Sequence, residues 1–196
     1  MHTFDLFPYI FAGLRLRALR LDDLDAFHAY RRDPAVARFQ GWPPMDRPAC
    51  EAFLREQAGH DVLVPDGWRQ LALARAQDDA LIGDVGVWLS ADATQAEFGL
   101  SITPDAQGQG HGTACVRGLL ERLACLPSLV EIHAASDLRN LPCLALLQRA
   151  GMTPSHRRED EYKGEWCVEQ VFVTRLDPHR HAPEVTAPRG LSVTAS

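Results

Sequence analysis

The sequence contains no Cys-x-x-Cys pair, no His-Glu-x-x-His run and no stretch of 18 apolar residues. The first two absences remove the common zinc and redox frameworks, and the third removes a membrane-spanning helix. The five cysteines (Cys50, Cys115, Cys125, Cys143 and Cys167) are odd in number. They read as reduced, mostly buried thiols rather than as a disulfide framework. Basic charge is in short supply: 20 Lys and Arg stand against 26 Asp and Glu, a net charge of −6. Arg15, Arg17 and Arg20 are followed at once by Asp22, Asp23 and Asp25. No basic stripe forms, so nucleic acid is not an expected partner. His179 and His181 are spaced like half of a small metal site, but they sit in a polar stretch, and no metal is expected. The opening residues lack the basic segment and small-residue cleavage site of a secretory leader. The cytoplasm is therefore the expected compartment, and a membrane is not an expected partner.

What is present is ordinary for a soluble domain: 196 residues, 46% of them apolar and 23% charged. The pattern predicts one domain over residues 1–176 and a polar tail over 177–196, where Pro, His, Thr and Ser take over. Residues 1–12 are aromatic-rich, are interrupted by Pro8, and read as an arm lying on the body. Residues 14–19 alternate as a strand, and residues 21–32 follow as a helix that Asp33-Pro34 breaks. A short helix over 35–39 leads to the stiff loop Gly41-Trp-Pro-Pro44, after which Asp46 caps a helix from 47 to about 57. Residues 68–75, 80–90 and 96–103 are joined by short polar turns, which predicts an antiparallel meander. Then come a helix to about residue 126 and a strand over 129–135. A helix capped by Asn140 and closed by Gly151 follows, then a hairpin of 159–163 and 166–174. This order predicts one α+β domain around a mixed sheet.

The sharpest feature is Gln107-Gly-Gln-Gly-His-Gly112, between an apolar strand and an amphipathic helix. Its glycines let backbone N–H groups converge with no Cβ in the way, and the helix adds the positive end of its dipole. Such a loop suits a phosphate or pyrophosphate; the alternative is a tight strand-to-helix turn with no ligand. Gly112-Thr113 lacks the lysine of a Walker A loop. A dinucleotide fingerprint beginning at Gly108 needs glycine where Thr113 stands and an acid that closes the next strand, whereas Glu131 opens its strand. What remains is Gln-x-x-Gly-x-Gly, filled by Gln107, Gly110 and Gly112.

That pattern resembles the coenzyme-A pyrophosphate loop of the GNAT acetyltransferase superfamily. The likeness extends to Leu16-Arg-Ala-Leu-Arg-Leu-Asp-Asp23, Asp33-Pro-Ala-Val36 and Trp42-Pro-Pro44. These look like the N-terminal half of the Rim-type branch, the ribosomal-protein N-terminal acetyltransferases and their relatives. Ile82-Gly83 and Glu97-Phe-Gly99 look like its central strands, and Asn140-Leu-Pro-Cys143 and Arg149-Ala-Gly-Met152 like the two ends of its last helix. The likeness spans roughly residues 12–175. It implies a GNAT fold: a central mixed, mostly antiparallel sheet, splayed between its fourth and fifth strands and flanked by helices. It also implies an enzyme that moves an acetyl group from acetyl-CoA to a primary amine by direct attack.

The resemblance implies roles for particular residues. Pantetheine would pair with the backbone of Leu100, Ser101 and Ile102 in the splay. The pyrophosphate would lie over Gln107, Gly108, Gln109, Gly110, His111, Gly112 and Thr113. Asn140 would bond the pantetheine arm, or serve only as a helix cap. Glu97 would take the amine's proton through water, with a backbone N–H near Leu100 as the oxyanion donor. Many members place a tyrosine acid where Leu147 stands here, and Rim-type enzymes often place serine where Cys143 stands. Cys143 would then contact the coenzyme and protonate the leaving thiolate, since an unperturbed thiol has a similar pKa of about 8.5. The alternative is a buried helix cysteine. Trp42, Tyr162 and Trp166 would border the acceptor groove. The acceptor is a protein N-terminus or a small amine such as an antibiotic or polyamine. A catalytically weak acyl-CoA sensor on the same fold is a further reading, and the residues leave a monomer and a homodimer both open.

Overall fold

Strand pairing explains where the sheet breaks. The computed structural model describes residues 4–177; the tail beyond, with His179 and His181, lies outside the described residues. Short strands β1 (Phe4–Asp5) and β4 (Val62–Leu63) form an antiparallel patch. The main sheet has eight strands: β2 (Tyr9–Phe11), β3 (Leu14–Ala18), β5 (Gly67–Arg75), β6 (Leu81–Leu89), β7 (Gln95–Ile102), β8 (Glu131–Asp137), β9 (Thr153–Tyr162) and β10 (Glu165–Arg175). Their spatial order is β2-β3-β5-β6-β7-β8-β10-β9. The segment expected to be an arm is therefore in part an edge strand. Ala12 and Gly13 both take positive φ, 45° and 76°, and fold Tyr9–Phe11 back onto Leu14–Leu16.

After a 3₁₀ turn at Leu21–Asp23 come α1 (Leu24–Arg31), α2 (Pro34–Ala37), α3 (Arg47–Gln57), α4 (His111–Leu123) and α5 (Leu141–Ala150). Asp33 and Asp46 cap α2 and α3 by accepting the N–H groups of Ala35 and Ala49, and each is followed by a proline in the first turn. On one face of the sheet, Phe27, Tyr30, Cys50 and Leu54 bury Ala72 and Leu81. On the other, α4 and α5 cover Val85, Val87, Phe98 and Ile132 with Val116, Leu119, Leu123 and Leu147. β9 is longer than the expected 159–163 because it is an edge strand, exposed along most of its length. It had no apolar alternation to show. Among the described residues, no helix is long and apolar enough to cross a membrane.

Every neighbouring pair in the main sheet is antiparallel except β7 and β8. These two run parallel and pair only over Gln95–Glu97 with Glu131–His133. Beyond Glu97, β7 continues against β6 and β8 continues against β10, with no shared ladder. That is the splay between the fourth and fifth strands of the expected fold, counted from β3.

Candidate active site

The opening between β7 and β8 is edged by peptide groups. In an antiparallel ladder, successive residues turn their N–H and C=O alternately to either side. Thr103 donates its N–H to Ile82 of β6, so Leu100 and Ile102 turn theirs to the opening. Two glutamines cap the carbonyls: Gln40 Nε2 donates to Leu100 O at 3.2 Å, and Gln107 Nε2 donates to Ile102 O at 2.9 Å.

The glycine loop closes one end of this opening. Gly108 and Gly110 take φ of 72° and 83°, and a Cβ at either would meet nothing within 4 Å. Gln109 Nε2 donates to Asp105 O at 2.6 Å and braces the loop. Among the described residues, the N–H groups of Gly108, Gln109, Gly110, His111, Gly112 and Thr113 meet no acceptor. They gather at the start of α4, the positive end of a 13-residue helix. A pyrophosphate fits this cradle: there is room beside the glycines, and unpaired donors face it. Gly112 has a different job. A Cβ there would lie 2.4 Å from Leu146 Cδ1, so Gly112 lets α4 pack closely on α5.

Across the opening, Asn140 caps α5, its Oδ1 accepting from the Cys143 N–H at 3.4 Å. Cys143 is partly buried; burial pushes its thiol pKa up, and a hydrogen bond with Ser136 opposes the shift. Leu147, which stands where a tyrosine acid would, is buried in the core.

On the opposite face of the sheet lies a cavity of ≈ 760 Å³, walled by Trp42, Pro43, Pro44, Met45, Phe53 and Trp68. Its floor is a row of short side chains, because Gln70, Gly86 and Gly99 stand opposite one another on β5, β6 and β7. Leu100 and Ser101 also line it. Beside the floor, on the same face of β6 as Gly86, Asp84 is wholly buried and accepts from the Arg31 guanidinium and, at 2.7 Å, from Gln70 Nε2. Arg31 lies 4.1 Å from the centroid of the Trp42 ring. Burial, then the Asp84 charge, push the neighbouring Tyr30 hydroxyl well above its ordinary pKa. Sequence reasoning missed Arg31, Gln40, Gln70 and Asp84. One signal was present: an aspartate inside an otherwise apolar strand needs a buried partner.

Glu97 sits on the next row, at the last paired position before the opening, opposite Trp88 and His133. Arg158 Nη2 holds its carboxylate at 3.3 Å, in a pocket of ≈ 180 Å³ shared with His133 and His156. Tyr162 rests against Gly41 and donates to Glu169 Oε1 at 3.1 Å. Burial, then the Glu169 charge, raise its pKa, which makes it a poor acid. Trp166 does not join Trp42. It is 69% exposed and lines a separate pocket with Asp137 and Arg139. The hairpin register places it opposite Glu161 on the exposed edge strand, and Trp68 walls the Trp42 cavity instead.

The acetyltransferase (GNAT) domain family matches residues 13–153. No curated protein matches the sequence significantly. The acetyltransferase (GNAT family) of Bacillus anthracis superposes with a TM-score of 0.74 at 16% identity, covering 83% of this chain and 95% of that one. The spermidine N-acetyltransferase of Vibrio cholerae, solved with CoA and spermine, gives 0.68 at 20%, over 84% and 96%. RimL, a ribosomal L7/L12 alpha-N-protein acetyltransferase solved with coenzyme A, gives 0.72 at 14%, over 87% and 98%. At these identities the structures speak for the fold alone, but the family match covers most of the chain. On a sheet that parts where the resemblance implied, that match makes the chain a GNAT-family acetyltransferase, an enzyme that carries acetyl from acetyl-CoA to an amine.

Proposed function

We propose that the β7–β8 opening holds acetyl-CoA from the α4–α5 face, that the Trp42 cavity holds a primary amine on the other face, and that the two sides meet at Leu100. One observation carries this reading: Leu100 lines the cavity while its peptide group faces the opening. The amides of residues 108–113 hold the pyrophosphate, with Gln107 fixing the end of β7. The backbone of Leu100 and Ile102 and the side chain of Asn140 hold the pantetheine arm; Ser101, expected to share in this, turns its peptide groups to Asp84 of β6 instead. When bound, the thioester supplies an activated acetyl group, and no enzyme nucleophile is needed. The Leu100 N–H stabilises the developing oxyanion. Glu97, positioned by Arg158, receives the amine's proton through water. Cys143 remains a protonated thiol at neutral pH; because burial raises its pKa, it serves the departing thiolate as a hydrogen-bond donor, and the thiolate takes its proton from water. The N–C bond forms, the C–S bond breaks, and one proton moves from the amine to the CoA sulfur overall. The described cysteines are all free thiols, which suits a cytoplasmic enzyme.

A pair of variants tests the loop. Asp and Asn both tolerate the left-handed backbone of Gly110 and differ mainly in charge. Calorimetry should show Gly110→Asp losing CoA affinity by about tenfold or more relative to Gly110→Asn, through like-charge repulsion. Equal affinity in two folded variants places the pyrophosphate elsewhere. Gly112 is the wrong position for this test, since any side chain there collides with Leu146.

A further inference from the structure

Resting on that two-sided reading, we infer that the acceptor is a monoamine carried on a flat, apolar, aromatic body. The walls of the ≈ 760 Å³ cavity are rings and a thioether: Trp42, Pro43, Pro44, Met45, Phe53 and Trp68. That volume suits a small molecule. Trp68 is 52% exposed, a large ring offered to whatever enters. Two charged groups lie at the cavity, Arg31 and Asp46. Arg31 is neutralised by Asp84 and covered by Trp42. Asp46 caps α3 through the Ala49 N–H.

Two neutral oxygens remain for the amine. Gln70 donates its Nε2 to Asp84, which turns Oε1 the other way, over Gly86; a Cβ on Gly86 would lie 2.9 Å from it. Gln40 donates its Nε2 to Leu100 O, and its Oε1 takes no hydrogen bond among the described residues. Each amide orientation is set by its oxygen partner, which can only accept. Gln40 Oε1 therefore waits beside Leu100, where the acetyl group is transferred. An amide oxygen holds an amine without favouring its ammonium form as a carboxylate does, so the neutral nucleophile is easier to reach. Spermidine carries two further ammonium groups and would meet one carboxylate, Asp46, so at least one ammonium would be stranded against these rings. An aminoglycoside would strand its hydroxyls, and a peptide its second and third peptide groups.

The test follows thiol release by the full chain from acetyl-CoA. Tryptamine and phenethylamine are compared with spermidine, kanamycin and an alanine-leading peptide. The aryl amines should show the highest kcat/KM, by about tenfold or more. Trp68→Ala should lower kcat/KM for tryptamine by about tenfold with CoA affinity retained. Fastest turnover of spermidine, kanamycin or the peptide overturns the inference and leaves the two-sided reading standing. So does a Trp68→Ala protein with undiminished tryptamine turnover. A protein that binds acetyl-CoA but releases thiol with none of these amines removes the inference and the assigned catalytic roles together.

Discussion

Glu97→Gln is expected to lower kcat by about 10²–10⁴ at neutral pH while acetyl-CoA binding stays nearly intact. The position argues for it. Glu97 is the last residue of β7 that still pairs with β8, so it stands at the vertex of the opening. Side chains alternate along a strand, so it shares its face with Gly99 and Ser101, both of which line the Trp42 cavity. Arg158 fixes the carboxylate and is itself held by Glu169, at 2.8 Å. Glutamine keeps the shape and the hydrogen-bonding reach but takes no proton. The residual rate of the variant should rise with pH, because more of the amine is then already neutral. Steady-state kinetics with a turned-over acceptor decide the matter, and wild-type kcat in Glu97→Gln removes this residue from proton transfer.

Asp84→Ala should cost about 3–5 kcal/mol of stability, because it leaves a buried guanidinium without its counter-charge. Asp84 is 0% and Arg31 3% exposed, so water cannot replace the lost partner. Gln70 would lose its anchor at the same time. The faces of Phe27, Tyr30, Trp42 and Phe53, whose ring centroids lie 4.8, 5.9, 4.1 and 5.6 Å from the guanidinium carbon, carry no counter-charge to replace it. Urea denaturation measures the cost. A loss under about 1 kcal/mol would mean that the pair is relaxed or hydrated in solution, and that it does not hold the cavity floor.

The glycine loop was legible in the sequence because its logic is local. Positive φ, an absent Cβ and a helix start all fall within six residues. Even so, the sequence could not divide the labour between glycines of one motif. Gly108 and Gly110 open a cradle, whereas Gly112 serves a helix contact with Leu146, 34 positions away in the chain. Caps at Asp33, Asp46 and Asn140 were readable for the same reason, since each acts on a neighbour two or three residues on. The break between β7 and β8 was reached only through family resemblance, because alternation records which face is buried and not which strand lies alongside. The cavity was the least legible part. Trp42 and Trp68 share a wall, and Gln70, Gly86 and Gly99 share a floor, only through the register of β5, β6 and β7. An aromatic near a hairpin tip, Trp166, was a reasonable candidate on composition but stands at the exposed hairpin end of β10, away from that wall.

The central claim is that donor and acceptor approach Leu100 from opposite faces of one broken sheet. A crystal structure of the protein with bound CoA tests it most directly. The account predicts a pyrophosphate hydrogen-bonded to the amides of residues 108–113, and a sulfur beside the Leu100 peptide, facing the cavity of Trp42 and Trp68. A sulfur that emerges away from that cavity, or a pyrophosphate that leaves the loop amides unpaired, would contradict it.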